Sequence, residues 1–229
     1  MPVREIAGPN GRLEALIDEP ADTRGVDASG LVHTGLPGGL RAAVVFAHPH
    51  TEYGGTMHTK VVYQAAKAMS RIGCAVLRFN FRGAGSSEGG FTGGPGEQAD
   101  FRAALDFMHD RYPGARLWAA GMSFGAWVSL TVGAEDPRVS SLIGIALPVT
   151  KYDLDAVMNS PKPKFFIHGE RDELFPLKEV RAFYGRASEP KELVVIDGAD
   201  HLFEGKTQEV GEALEDLLAD FFDSGEPSS

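Results

Sequence analysis

A chain of 229 residues, 43% of them hydrophobic, can bury one sizeable core and leaves little room for a second domain. Its net charge of −10 opposes binding to nucleic acid, and its single cysteine, Cys74, excludes an internal disulfide framework and fits a reducing compartment. The first residues lack the apolar core of a signal peptide and no run approaches membrane-spanning length, so a soluble cytoplasmic protein without membrane contact is expected.

In chain order, alternating runs at 4–7 and 12–17 flank Pro9-Asn10-Gly11, a hairpin signal that opens the fold with two antiparallel strands. Residues 19–40, rich in Gly, Pro and Asp, read as a surface loop. Short apolar runs then follow at 42–47, 75–79, 117–121, 142–146, 165–167 and 193–196, and Cys74 enters the second of these as a small buried hydrophobe. Helical patterns separate them at 58–72, 96–111, 124–134, 177–185 and 203–222. This alternation predicts an α/β domain over 1–223, with a mostly parallel eight-stranded sheet covered on both faces, and a polar tail at 224–229. The irregular stretches 80–97 and 147–163 are too short for a cap domain.

Between the run ending at Ala120 and the helical pattern starting at Phe124 stands Gly121-Met122-Ser123-Phe124-Gly125. A serine between two glycines in a strand–turn–helix context is the nucleophile elbow of the α/β-hydrolases, although a plain Gly-Ser turn gives the same letters. The glycines matter because a Cβ at either position would meet neighbouring backbone. A serine hydroxyl needs a base, and the base an orienting partner. In α/β-hydrolases these follow as Ser, acid, His, each near the end of a strand. That order selects Asp172 over Glu170 and Glu173, since it lies beyond the strand Phe165–Ile167 and the turn His168-Gly169, before a proline-started helix. It selects His201, the one histidine of seven at a strand-to-helix junction in the right order. The Phe124 N–H is one donor for an oxyanion, and the loop after the run 42–47 supplies the other. Pro49 has no N–H, so the backbone of His50 is expected there, with Thr51 second.

The chain as a whole resembles the small, uncapped bacterial α/β-hydrolases of the dienelactone-hydrolase-like group. The resemblance runs from Ala42 to the last helix and rests on several segments besides the elbow. These are His48-Pro49-His50, Gly54-Gly55-Thr56-Met57, Leu77-Arg78-Phe79-Asn80-Phe81-Arg82-Gly83 with Gly85 and Ser87, and Gly198-Ala199 with His201-Leu202-Phe203. It implies hydrolysis of esters without a cofactor. Dienelactone hydrolases use a cysteine where this chain has Ser123, which favours general carboxyl-ester hydrolysis over lactone opening.

Other readings carry less. Gly83-Ala84-Gly85 begins like a dinucleotide fingerprint, yet Glu88 stands where the third glycine belongs and would repel a pyrophosphate. His48, His50 and His58 lack a partner ligand that would complete a metal site, so no metal is expected. Arg82 either contacts a substrate carboxylate or ties down its own loop, the second being favoured. Thr51, Met57, Phe91, Trp127, Tyr152 and Phe175 are candidates for a substrate pocket, and the aromatic ones fit the core equally well. The expected partner is a small-molecule ester, of short acyl chain because no cap supplies an apolar wall. A peptidase or thioesterase would use the same triad, a catalytically silent binding protein would keep only the fold, and a homodimer stays open.

Overall fold

Pro9 and Asn10 turn the chain back on itself, so that β1 (Glu5–Gly8) pairs antiparallel with β2 (Gly11–Asp18) and Gly8 lies opposite Gly11. Gly11 takes φ +124°, a conformation that favours glycine and closes the turn. The computed structural model describes residues 3–21, 23–26, 32–34 and 39–223. Within the expected loop 19–40, β3 (Thr23–Val26) and β4 (Val32–Thr34) form a separate two-stranded antiparallel sheet. Residues 22, 27–31 and 35–38 and the tail 224–229 lie outside the described residues.

From Ala43 strand and helix alternate: β5 (Ala43–Ala47), α1 (Lys60–Arg71), β6 (Ala75–Phe79), α2 (Pro95–Arg111), β7 (Leu117–Met122) and α3 (Phe124–Glu135). The chain continues through β8 (Val139–Ile145), α4 (Asp155–Asn159), β9 (Lys164–Gly169), α5 (Leu177–Arg186), β10 (Lys191–Ile196) and α6 (Thr207–Asp223). The helix α4 lies inside the stretch 147–163, read from sequence as irregular because its five residues are too few to show a period. The main sheet has eight strands in the order β1-β2-β6-β5-β7-β8-β9-β10. β2 is antiparallel to both its neighbours, and every pair from β6 to β10 is parallel.

The two-residue period of the strands divides the core between the faces of the sheet. Val45, Leu77 and Ala119 pack with Phe101, Leu105 and Met108 of α2 and with α3. Val44, Phe46, Val76 and Trp118 pack with Val62 and Met69 of α1 and Leu214 of α6. Both faces are therefore covered, which is why these strands read as continuous apolar runs rather than alternating ones. Cys74 is buried at the start of β6, and that burial pushes its thiol up to about 12. No helix among the described residues is long and apolar enough to cross a membrane.

β5 lies where the winding reverses, with β6 on one side and β7 on the other, and a crevice opens beyond the carboxyl ends of such strands. A buried ion pair fixes the loop beside it. Arg82 donates from Nε and Nη2 to the two oxygens of Asp100 in α2, at 2.9 and 2.6 Å, so its role is to tie down the loop. Removing one partner of such a pair costs on the order of 3–5 kcal/mol.

Candidate active site

Ser123 sits at the end of β7, immediately before α3, with φ +54° and ψ −121°. This backbone is costly for a residue with a Cβ, on the order of 1–3 kcal/mol, and surrounding structure must enforce it. The enforcement is visible in two places. The Ser123 N–H donates to the Ile145 carbonyl at 2.8 Å, and the Ser123 carbonyl accepts the N–H groups of Ala126 and Trp127. The flanking glycines are also required. A Cβ on Gly121 would collide with the carbonyl of Gly125, and one on Gly125 with the carbonyl of His48. The turn therefore packs backbone against backbone, and the serine hydroxyl is carried out to the carboxyl edge of the sheet.

Asp172 and His201 reach the same point from β9 and β10. Asp172 follows β9 and is buried, and its Oδ1 accepts the N–H groups of Leu174 and Phe175, both at 2.9 Å. Its Oδ2 accepts from His201 Nδ1 at 2.7 Å. Burial alone raises a carboxyl pKa. Here the hydrogen bond from His201, the Phe175 N–H and the nearby imidazoles more than offset it, and Asp172 stays below the usual carboxylate value. With Nδ1–H directed at Asp172, His201 presents the bare Nε2 to Ser123, whose hydroxyl lies 2.9 Å away. His168, fully buried at the end of β9, donates from Nε2 to the Phe175 carbonyl at 2.7 Å, and burial keeps its pKa low.

The loop after β5 folds over the same edge. His50 precedes a single 3₁₀ turn, Thr51–Tyr53, and has φ −56° and ψ 123°. Its carbonyl accepts the N–H groups of Tyr53 and Gly55, which closes the loop. The Phe124 N–H opens α3, where the first N–H groups of a helix have no intrahelical acceptor. The His50 ring packs against Tyr53, Phe91 and Phe124, with centroids 4.6–4.9 Å apart. Burial, then the charge of Lys151, lowers its pKa. His48 has both ring nitrogens occupied by backbone: Nδ1–H donates to the Pro49 carbonyl at 2.6 Å and Nε2 accepts the Phe81 N–H at 3.0 Å. The glycine-rich loop 83–88 is likewise filled from within, since the Glu14 carboxylate accepts the Ser86 N–H and the Asn80 amide.

Ser123, Phe124, His50 and His201 line one cavity of about 780 Å³. Of the six pocket candidates, Tyr152 and Phe175 also line it; Thr51, Met57, Phe91 and Trp127 do not. Thr51 is drawn into the 3₁₀ turn, and Met57 is buried, with its N–H donated to Asn80. Phe91 stands behind the His50 ring. Trp127 is stacked behind Tyr152, with centroids 4.3 Å apart and planes 11° apart, and donates Nε1–H to the Asp153 carbonyl. The wall also holds residues that sequence reasoning passed over: Tyr53, Lys151, Arg171, Leu174 and Leu202. Exposed leucines beside the acid and histidine positions were the readable signal for two of them, whereas Tyr53 and Lys151 belong to no motif.

The model of the family described as "Alpha/beta hydrolase domain" matches residues 40–225. A serine hydrolase homologue of this fold from Coxiella burnetii is 36% identical, with a TM-score of 0.81 over 93% of this chain and 95% of that one. A second solved structure, from Xanthomonas campestris and described as an α/β serine hydrolase without a lid, is 31% identical with a TM-score of 0.80, covering 98% and 94% of the two chains. An uncharacterised protein of Rickettsia prowazekii is 38% identical over 180 residues, 75% of this chain and 76% of that protein.

Proposed function

The chain belongs to the alpha/beta hydrolase domain family, with the lid-free fold of its small serine hydrolases, and on that premise we propose that it hydrolyses carboxylic esters through an acyl-enzyme on Ser123. The observation that carries this reading is the unbroken hydrogen-bond chain from Asp172 through His201 to Ser123, at 2.7 and 2.9 Å, on the wall of an open cavity.

In the proposed reaction His201 Nε2 takes the Ser123 proton as Oγ attacks the ester carbonyl. The oxyanion that forms is held by the N–H groups of Phe124 and His50. Collapse expels the alcohol, which leaves with the proton from His201, and Ser123 carries the acyl group. Water then repeats the sequence: His201 takes its proton, its hydroxyl adds to the acyl carbon, and Ser123 departs with the proton. Asp172 stays ionised throughout and stabilises the imidazolium.

Short acyl groups suit the cavity. Leu174 and Leu202 line it yet remain 64% and 59% exposed, so its apolar wall is wet and would cover a long chain poorly. A fluorophosphonate probe tests the reading. The wild-type chain should be labelled and should turn over p-nitrophenyl acetate, and Ser123→Ala should do neither. Turnover that survived in Ser123→Ala would exclude the serine mechanism.

A further inference from the structure

The cavity wall on the His50 side carries a cation that the proposed chemistry does not use. The Lys151 ammonium lies 5.5 Å from the centroid of the Tyr152 ring and 6.0 Å from that of Tyr53, and all three residues line the cavity with Ser123. Among the described residues Lys151 has no ion-pair partner, in a chain whose net charge is −10. Its place is built rather than accidental. The backbone N–H groups of Lys151 and Tyr152 both donate to the Pro148 carbonyl. The Tyr152 ring is stacked on Trp127, whose indole in turn bonds the Asp153 carbonyl. Tyr53, 81% exposed, meets the His50 ring at 4.7 Å and leaves the ammonium open to solvent on that side. A cation held between two aromatic faces at a substrate cavity, without a carboxylate of its own, is a receptor for an anion.

The carboxylates of the wall lie elsewhere. Glu173 and Asp200 sit on the loops that carry Asp172 and His201, and Asp200 Oδ1 is engaged by the N–H groups of Leu202 and Glu204. The alcohol must leave beside His201, which supplies its proton. The acyl part is therefore directed to the opposite wall, where Lys151 lines the cavity beside Tyr152 and, of the charges acting on His50, outranks the opposing Glu52 and Glu97. We infer that the preferred substrate is an ester whose acyl group ends in a negative charge, as in the half-ester of a dicarboxylic acid, and that Lys151 between Tyr53 and Tyr152 receives that charge. This rests on the ester-hydrolase reading and specifies its substrate class. The reaction conserves the charged end: water adds hydroxyl to the acyl carbon and a proton to the departing alcohol, and the new carboxylic acid then gives its proton to solvent to leave a dicarboxylate.

The test compares p-nitrophenyl hexanoate with the p-nitrophenyl half-ester of adipic acid, whose acyl chains are matched in length and differ in terminal charge. A solvent-facing charge pair contributes a factor on the order of fivefold. The wild-type ratio of kcat/KM, half-ester over hexanoate, should exceed about fivefold and shrink as salt rises to about 0.5 M. In Lys151→Gln the ratio should fall to near one, and in Lys151→Glu it should invert, whereas Arg171→Gln should retain most of it. Hexanoate turnover with a wild-type ratio near one would overturn the inference and leave ester hydrolysis standing. A ratio that persisted in Lys151→Gln would overturn it as well. An equal loss in Lys151→Gln toward p-acetoxybenzoate, which carries its charge on the leaving side, would overturn the placement on the acyl group. If Ser123 were labelled but no ester of any charge were cleaved, the ester reading would fall and the inference with it.

Discussion

His168 and Asp172 hold the same residue from two directions. The imidazole donates to the Phe175 carbonyl at 2.7 Å, and the carboxylate accepts the Phe175 N–H at 2.9 Å. The loop that aims Asp172 at His201 is thereby closed by a fully buried side chain that does not line the cavity. On the proposed mechanism, His168 would act by positioning Asp172.

His168→Leu should accordingly lower kcat by roughly 10²-fold, the scale expected when a catalytic group shifts by about an ångström, with little change in KM. His168→Gln, which keeps a donor, should recover part of the loss. Steady-state kinetics on p-nitrophenyl acetate, with circular dichroism to verify folding, check this. A uniform rise in KM instead would mean that the residue shapes the cavity rather than the acid.

His50 permits a separation of backbone from side chain. Its φ of −56° already matches that of proline, so His50→Pro removes the N–H with little change of local conformation. Turnover should fall on the order of 10²–10³-fold in His50→Pro, while His50→Ala keeps most of it. Equal damage from both, in folded protein, would move the role to the imidazole.

Stability should fall in mild acid because of His48. Burial lowers its pKa to about 4, against about 6.5 for an exposed imidazole. Between those values the unfolded chain binds a proton that the folded one refuses, so stability is full above about pH 6.5 and declines as pH falls toward 4. The loss from this one group amounts to about 3 kcal/mol. A protonated ring could not accept the Phe81 N–H, which is the structural face of the same cost. His168 and His50, also lowered by burial, add to the slope with the same sign. Urea unfolding at stepped pH should show this decline, and a shallower one in His48→Gln.

Chain-length preference is equally open to measurement. Across a series of p-nitrophenyl esters, kcat/KM should be greatest for short acyl groups and decline toward palmitate. A steady increase with length would require an apolar enclosure that Leu174 and Leu202, largely exposed, do not form.

Much of the architecture was legible because parallel strands buried on both faces leave an unbroken apolar run; five of the six runs between Ala42 and Ile196 are such strands, and the sixth is the partly buried edge strand β10. The hairpin was legible from Pro9-Asn10-Gly11, although its turn falls on Pro9 and Asn10 with Gly11 opening β2, and the elbow because two glycines mark a turn where backbone meets backbone. The order of Ser123, Asp172 and His201 along the chain anticipated residues that the fold brings within hydrogen-bond distance. The cavity wall was legible only in part: Tyr152 and Phe175 were named and line it, while Tyr53 and Lys151 were passed over. Trp127 and Tyr152 share a stack, yet one faces the cavity and the other supports it, and no periodicity distinguishes front from back. Lys151 lies in an irregular segment held by a local turn onto the Pro148 carbonyl and by Trp127, whose bond to Asp153 belongs to the tertiary fold. The pairing of β3 with β4 escaped notice because composition averages over strands as short as three residues.

Among the described residues, Ser123, Ala146 and Phe203 are the only non-glycine positions with positive φ. Ala146 follows the carbonyl that receives the Ser123 N–H, and Phe203 stands two residues beyond His201. Conformational tension in this protein is thus concentrated along a single rim. On the proposed serine mechanism, durability and turnover should be inversely coupled at its centre. Ser123→Gly should melt higher than the native chain while losing its reactivity, because glycine occupies that backbone region without penalty. Selection for heat resistance alone would drift toward an inert molecule.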